Sequence, residues 1–189
     1  MKNLCVYASS SQAVDAAYFE AARDFGAHLA ARGHTLVFGA GCVGLMGEVA
    51  RAVHAADGHV VGVIPKKLVH KEIAYEAADE FIVTDTMRER KAIMESRADA
   101  FIALPGGIGT LEEVLEVLVL KQLRFHEKPI VFLNTHGFYH GLMELLERQI
   151  SERFAKPVMR ALYHAAATPA GVFNFLDAYT PPNTDDKWF

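Results

Sequence analysis

Two adjacent carboxylates, Glu112 and Glu113, directly follow a loop that suits the close approach of an anion. The loop is PGGIGT, residues 105–110, and it leads into a long apolar segment that predicts a helix. Glycines let backbone N–H groups come close to a ligand, and a helix N-terminus carries about half a positive charge. The loop lacks the lysine of a P-loop, so an ATPase is not indicated. We therefore consider a phosphate site with a carboxylate behind it. The N–H groups that would bind the phosphate belong to Gly106, Gly107, Gly109 and Thr110.

The same stretch also fits a purely structural pattern. Thr110 and Glu113 have the spacing of a capping box, with threonine at the N-cap and glutamate at N3. A cap of this kind contributes about 1 kcal/mol to stability, which would explain Glu113 without any catalytic role. Spacing alone does not decide between the two interpretations.

Three cations stand close together upstream, in the stretch TMRERK. Arg88, Arg90 and Lys91 fall at the predicted start of a helix that follows the fourth strand. Positive charges are unfavourable there, because the helix dipole is itself positive at that end. A bound anion or a facing carboxylate would relieve the repulsion, and a solvated basic turn is the alternative.

A third loop, GAGCVG, matches the G-x-G-x-x-G pattern of dinucleotide sites at Gly39, Gly41 and Gly44. It follows the second strand rather than the first, and no acidic residue ends the next strand to bind a ribose. NAD binding is therefore the least favoured interpretation. A tight turn required by packing and a wall of a nucleotide site both stay open.

Short β-rich runs alternate with helical segments along most of the chain. The runs that predict strands are Leu4–Ala8, Thr35–Phe38, His59–Ile64, Phe81–Val83, Ala100–Leu104 and Ile130–Leu133. The segments that predict helices are Asp15–Arg32, Leu45–Ala56, Thr86–Arg97, Thr110–Leu123 and Phe138–Arg153, with a last helix capped by Thr168. This alternation predicts an α/β fold, a Rossmann-like doubly wound parallel sheet in a single domain. Ligands of such sheets bind at the carboxyl ends of the strands, where Ser9 and Ser10 would join the glycine loops.

Length and charge narrow the class of protein. The 189 residues favour one domain, taken as residues 1–180, with a polar tail over 181–189. The net charge of −4 is spread without long basic runs, which argues against a nucleic-acid or membrane surface. The apolar part of the first twelve residues is too short for a signal peptide, and no stretch is long enough to span a bilayer.

Cysteines and histidines give no sign of a metal or a disulfide framework. Cys5 and Cys42 have neither metal-ligand nor framework spacing, so we expect a reducing, cytoplasmic location. His136 and His140 are four residues apart, but Gly137 lies between them, so surface or core histidines are favoured over a metal pair. No metal site is predicted.

The motifs taken together resemble the LOG (Lonely Guy) family, the cytokinin riboside 5′-monophosphate phosphoribohydrolases. PGGIGTLEE resembles that family's PGGxGTxxE signature, MRERK its M-H-x-R-K element, GAGCVGLMG its G-G-G-x-x-G-L-M-G turn, and VYASSS its opening Gly-Ser-Ser strand end. The resemblance covers nearly the whole chain. Molybdenum-cofactor carrier proteins share much of the PGGxGTxxE element, and its combination with R-K is what makes the match specific. Nothing in these residues points to the label "lysine decarboxylase" that many relatives carry.

The resemblance implies hydrolysis of the N-glycosidic bond of adenosine 5′-monophosphates, preferably N6-prenylated ones, to free base and ribose 5-phosphate. It implies Arg90 and Glu113 as the catalytic pair, no cofactor, and a homodimer around the apolar helix Val114–Leu123. The residues expected to bind substrate are Ser9, Ser10, Gly41, Met87, Arg88, Lys91, Pro105, Gly106, Gly107, Gly109, Thr110 and Glu112. Three positions depart from the family pattern, namely Arg88 for His and Ala8 and Ala40 for Gly, and they bear on base preference more than on the reaction. A non-catalytic nucleotide or cofactor carrier on the same fold is the alternative function.

Overall fold

Seven parallel strands form one sheet at the centre of the protein, as a computed structural model describes it for residues 2–69 and 73–182. The strands are β1 (Asn3–Tyr7), β2 (Thr35–Phe38), β3 (His59–Pro65), β4 (Glu80–Thr84), β5 (Ala100–Ala103), β6 (Ile130–Leu133) and β7 (His164–Ala166). Six of them were predicted to within one residue at each end. The sequence analysis missed β7, because its three residues, HAA, carry no β-branched or alternating pattern.

Within the described residues, seven α-helices connect or follow the strands. They are α1 (Ala16–Ala31), α2 (Gly44–Ala55), α3 (Lys66–Val69), α4 (Met87–Arg97), α5 (Ile108–Gln122), α6 (His140–Ser151) and α7 (Pro169–Ala178). All but the short α3 were predicted. Thr168 caps α7 as expected, since its hydroxyl accepts a hydrogen bond from the Gly171 N–H. Among the described residues, no helix is both long and apolar enough to cross a membrane.

The strand order is β4-β3-β2-β1-β5-β6-β7, so the order reverses between β1 and β5. This is the doubly wound parallel sheet that the alternating pattern predicted, and both of its faces are covered. Helices α1, α2 and α7 pack on one face and α4, α5 and α6 on the other, each over a separate apolar core. The loops after β1 and β5 therefore meet at the switch point, where ligands of such sheets bind. The predicted tail 181–189 lies, from residue 183 onward, outside the described residues.

His126, in the segment that follows α5, is a half-buried histidine whose ring is hydrogen-bonded on both nitrogens. The Nε2 atom of His126 lies 2.9 Å from the Val117 carbonyl oxygen, and its Nδ1 atom accepts a hydrogen bond from the Lys128 N–H. The ring also packs against Phe101, with 5.3 Å between ring centroids. Burial lowers the pKa of His126 to about 4, against the opposing effect of the bond to Val117. Protonation of the imidazole ring would remove the hydrogen-bond acceptor at Nδ1.

We expect His126 to make the protein less stable as pH falls from 6.5 towards 4. In that range the unfolded chain takes up a proton at His126 and the folded chain does not, so the free energy of unfolding decreases. Urea denaturation at several pH values measures this slope, and His126→Gln should flatten it. The exposed His140→Gln is the matched control and should keep the wild-type slope. Equal slopes for all three proteins would contradict the assignment.

Candidate active site

A cavity of about 540 Å³ opens at the carboxyl edge of the sheet, within the usual size range of small-molecule sites. The loop after β1 and the first turns of α4 and α5 form most of its wall. The residues that line it are Ala8, Ser9, Ser10, Ser11, Met46, Leu68, Met87, Arg90, Gly107, Gly109, Thr110, Glu112 and Glu113. Nine of these were expected to bind or transform substrate.

A buried ion pair forms one side of this cavity. The Nη1 atom of Arg90, on α4, donates a hydrogen bond of 2.8 Å to Oε1 of Glu113, on α5. The two side chains are only 9% and 12% exposed. A second bond of 3.1 Å runs from Nε of Arg90 to the Val63 carbonyl oxygen of β3. The guanidinium is therefore fixed between the sheet and α5, with the carboxylate facing the cavity beside it.

The capping-box prediction for Thr110 and Glu113 is wrong. Helix α5 begins at Ile108, with Gly107 as an N-cap that offers no side-chain bond. Thr110 therefore lies inside the first turn, where its side chain packs over Gly106, and Glu113 lies one turn further along. No side chain caps the first N–H groups of α5, and Gly107 and Gly109 at this end of the helix line the cavity. Glu113 has no capping role, so its burial against Arg90 needs another explanation.

Burial raises the pKa of Glu113, and the adjacent Arg90 guanidinium only partly offsets that effect. The nearby charge of Glu112 raises the pKa of Glu113 further, while Lys91 lowers it. A carboxylate with raised proton affinity, held beside an open cavity, is suited to accept a proton from water near neutral pH.

The cavity is also lined by small polar groups and by backbone donors. Ser9 is fixed to the glycine loop by a bond of 3.3 Å from its N–H to the Pro105 carbonyl oxygen. Its hydroxyl accepts a bond of 3.0 Å from the Ser11 N–H. Gly107, the N-cap of α5, lines the cavity together with these serines. A helix N-terminus and a serine loop on the same cavity are suited to an anion such as a phosphate.

Comparison with known proteins gives a consistent result. Residues 46–176 match the protein family described as "Possible lysine decarboxylase". The chain is 44% identical over 184 residues to a probable cytokinin riboside 5′-monophosphate phosphoribohydrolase of Oryza sativa subsp. japonica, covering 97% of this chain and 75% of that protein. It is 43% identical over 182 residues to a cytokinin riboside 5′-monophosphate phosphoribohydrolase of Arabidopsis thaliana, covering 96% and 80%. The chain belongs to this phosphoribohydrolase family, which is the LOG family.

Solved structures of other proteins share the fold of this chain. The molybdenum cofactor binding protein of the phototrophic bacterium Rippkaea orientalis superposes on 94% of this LOG-family chain and on 96% of its own, with a TM-score of 0.71 and 24% identity. At that identity the likeness establishes a shared architecture and nothing about the ligand.

Two of the three cations of the LOG-family element face carboxylates on α5. Besides Arg90 with Glu113, the Lys91 ammonium pairs with both Glu112 and Glu116, one turn apart. The facing-carboxylate interpretation is thus confirmed for Arg90 and Lys91.

Other expected binding residues lie away from the cavity. Lys91 and the exposed Arg88 do not line it, and neither does Gly41, which bridges to Ala74. Pro105 and Gly106 instead line a second, largely apolar cavity of about 280 Å³, which shares Ser9 and Gly107 with the first. The substrate-binding roles of these residues remain predictions.

Four lining residues were not expected: Ala8, Ser11, Met46 and Leu68. Ala8, Ser11 and Met46 lie inside motifs that the sequence already pointed to, so their loops could have suggested them. Leu68 could not be found in this way, because it lies on α3, which has no sequence signal. Within residues 2–69 and 73–182, no group of three or more His, Cys, Asp or Glu side chains is placed to hold a metal ion.

We expect Arg90→Met to lower stability in a pH-dependent way. Without the guanidinium, Glu113 is a buried carboxylate with no cation, and breaking a buried pair costs roughly 3 kcal/mol when the remaining group is charged. The pKa of Glu113 would rise further, so it stays protonated at low pH and the loss is small there. As pH rises through the folded-state pKa, the carboxyl must ionise and the loss becomes full.

Urea denaturation at pH 4.5 and pH 7.5 measures this difference for the wild type and the variant. Arg88→Met is the matched control, because Arg88 is an exposed arginine on the same turn of α4. A stability loss that is equal at both pH values, or equal in the two variants, would contradict the burial of an ionised pair.

Proposed function

We propose that this protein hydrolyses the N-glycosidic bond of adenosine 5′-monophosphate and its N6-modified forms, releasing the base and ribose 5-phosphate. The observation that carries the proposal is the buried Arg90–Glu113 pair beside the N-terminus of α5, in one cavity. The names of the relatives, at 43–44% identity over nearly the whole chain, support the same reaction.

The reaction requires a group that stabilises positive charge on the sugar. As the bond from C1′ to the base nitrogen breaks, its electron pair leaves with the base and the ribose becomes oxocarbenium-like. The Glu113 carboxylate stabilises that charge, positions a water molecule against C1′ and accepts the proton that the water loses. The departing base takes up a proton from solvent. Arg90 keeps the carboxylate oriented and ionised until the water attacks.

The phosphate supplies binding energy away from the reacting bond. We propose that it binds the N–H groups of Gly107, Gly109 and Thr110 and the loop of Ser9 and Ser10. Energy gained there can be used to position C1′ against Glu113, so a substrate without the phosphate should lose turnover as well as affinity.

The first test is release of free adenine. The enzyme should liberate adenine from AMP or its N6-isopentenyl form, and adenosine should be a far poorer substrate, as chromatography of the products measures. Equal cleavage of the nucleoside and the nucleotide would remove the support for a phosphate site at α5. Release of no base from any nucleotide would contradict the proposed function itself.

A second test separates the two adjacent glutamates. Neighbouring residues on a helix point about 100° apart, so only one can face the sugar well. Glu113→Gln should leave the protein folded, because glutamine keeps the size of the side chain and can accept the Arg90 bond. Turnover of AMP should fall by roughly 10²–10⁴, the usual scale for a positioned acid–base group. Glu112→Gln is the matched control and should reduce turnover much less. A more damaging Glu112→Gln, or near wild-type turnover by Glu113→Gln, would contradict the assignment.

A carrier of a nucleotide or cofactor is the second candidate, because the molybdenum cofactor binding protein of Rippkaea orientalis has the same architecture. A carrier needs the glycine loop but has no use for a buried carboxylate with raised proton affinity. The adenine-release assay discriminates between the two functions directly.

We also propose a cytoplasmic homodimer formed through α5. Val119 on that helix and Leu123 directly after it support the dimer, since these apolar side chains are 45% and 39% exposed.

A further inference from the structure

Gly39 lies directly after β2, at the first position of the GAGCVG turn, and it touches the catalytic arginine. A Cβ atom built on Gly39 would stand 1.8 Å from Nη2 of Arg90 and 2.9 Å from its Cζ atom. These distances leave no room for any side chain. Gly39 is not among the described glycines with positive φ, so backbone conformation does not explain its identity. The space it leaves is filled by the guanidinium.

The guanidinium cannot easily move away from that contact. Its Nε atom is bonded to the Val63 carbonyl oxygen at 3.1 Å and its Nη1 atom to Glu113 at 2.8 Å. Arg90 as a whole is 8% exposed. A methyl group at position 39 would therefore have to break at least one of the two bonds, although arginine is a flexible side chain in general.

The other two glycines of the turn have different surroundings. A Cβ on Gly41 would meet Cε of Met46 at 2.6 Å, the free end of a flexible side chain. Gly44 has a φ of +62°, and a Cβ there would collide with the backbone of Ser9 and Ser10. Its role is to bring the start of α2 against the loop after β1. Gly39 thus differs from both, since its neighbour is the guanidinium of the catalytic pair.

We propose that Gly39 is a positioning residue for the hydrolytic reaction. Because Gly39 has no side chain, the Arg90 guanidinium packs against its Cα atom. In this position Nη1 of Arg90 reaches Glu113 and holds the carboxylate towards the cavity. The inference rests on the proposed function, because it assigns a catalytic role to the pair that Gly39 orients. The inference also gives a reason for the first glycine of the GAGCVG loop. Gly39 makes room for the Arg90 guanidinium and is not required by a bound dinucleotide.

Gly39→Ala should therefore act on turnover. A displacement of about 1 Å in a catalytic group can cost on the order of 10²-fold, and we expect a decrease in kcat of that size for AMP. KM should change much less, because neither Gly39 nor Arg90 is among the groups proposed to bind the phosphate. The acidic limb of the kcat–pH profile should move to higher pH, since Arg90 lowers the pKa of Glu113 and would do so less from a displaced position. A purely structural defect would not move that limb.

A double-mutant cycle isolates the contact. Thermal unfolding is measured for the wild type, Gly39→Ala, Arg90→Ala and the combined variant. In the Arg90→Ala background the guanidinium is absent, so Gly39→Ala should leave Tm nearly unchanged, whereas in the wild type it should lower Tm. Gly141→Ala is the control for adding a methyl group to a glycine, because nothing lies within 4 Å of a Cβ there.

The outcomes separate this inference from the proposed function. Wild-type kcat with an unshifted pH profile for Gly39→Ala would overturn the inference, and so would an equal loss of Tm in both backgrounds. If Gly39→Ala does not fold, recovery of folding in the combined variant supports the inference, and failure to recover overturns it. If the wild-type protein releases no base from nucleotides, the function is wrong, while the Tm cycle still reports on the contact between Gly39 and Arg90.

Discussion

The site depends on one costly interaction, a carboxylate and a guanidinium removed from water together. Burial of either charge alone would be strongly unfavourable, and even the pair must be compensated by good geometry and further hydrogen bonds. The structure supplies these from three directions. Glu113 comes from α5, the Val63 carbonyl oxygen comes from the end of β3, and Gly39 leaves the room that the guanidinium needs. Two apolar side chains at these positions would stabilise the fold at a lower free-energy cost than the ion pair does. Stability therefore explains the pair less well than a need for an ionisable group that can exchange a proton.

Sheet topology brings the parts of the pair together. Helices α4 and α5 both start at the carboxyl edge and lie on the same face of the sheet, over one apolar core. Their first turns therefore approach each other, although Arg90 and Glu113 are 23 residues apart in sequence. The reversal of strand order between β1 and β5 opens the adjacent space, since the loops after these two strands belong to helices on opposite faces. The position of the cavity thus follows from the strand order. Its charged groups come from the first turns of α4 and α5.

The sequence allowed most of this architecture to be predicted, because buried parallel strands and capped helices leave strong local patterns. The resemblance to the LOG family, rather than spacing alone, implied Arg90 and Glu113 as the catalytic pair, and the structure brings the two side chains together. The sequence did not place the start of α5, since Thr110 is a good N-cap residue and the true N-cap, Gly107, leaves its donors without a side-chain partner. Nor did it show that Lys91, next to Arg90 on α4, pairs with Glu112 and Glu116 and does not line the cavity. Strand β7 and helix α3 escaped because three or four residues are too few to show a period.

The two adjacent glutamates show how one turn of helix can divide the roles of identical side chains. Glu113 is 12% exposed and pairs with Arg90 beside the cavity, while Glu112 is 54% exposed and pairs with Lys91. The charge of Glu112 nevertheless affects the pKa of Glu113. Burial and Arg90 have the largest effects on the pKa of Glu113, and behind them the charge of Glu112 raises it and the charge of Lys91 lowers it. Because Lys91 lies between Glu112 and Glu116, it offsets the repulsion that its own pairing partner exerts on Glu113. Lys91 does not line the cavity, but its charge still affects the pKa of Glu113, which does. Arg90 and Lys91 on α4 and Glu112 and Glu113 on α5 thus form one group of interacting charges.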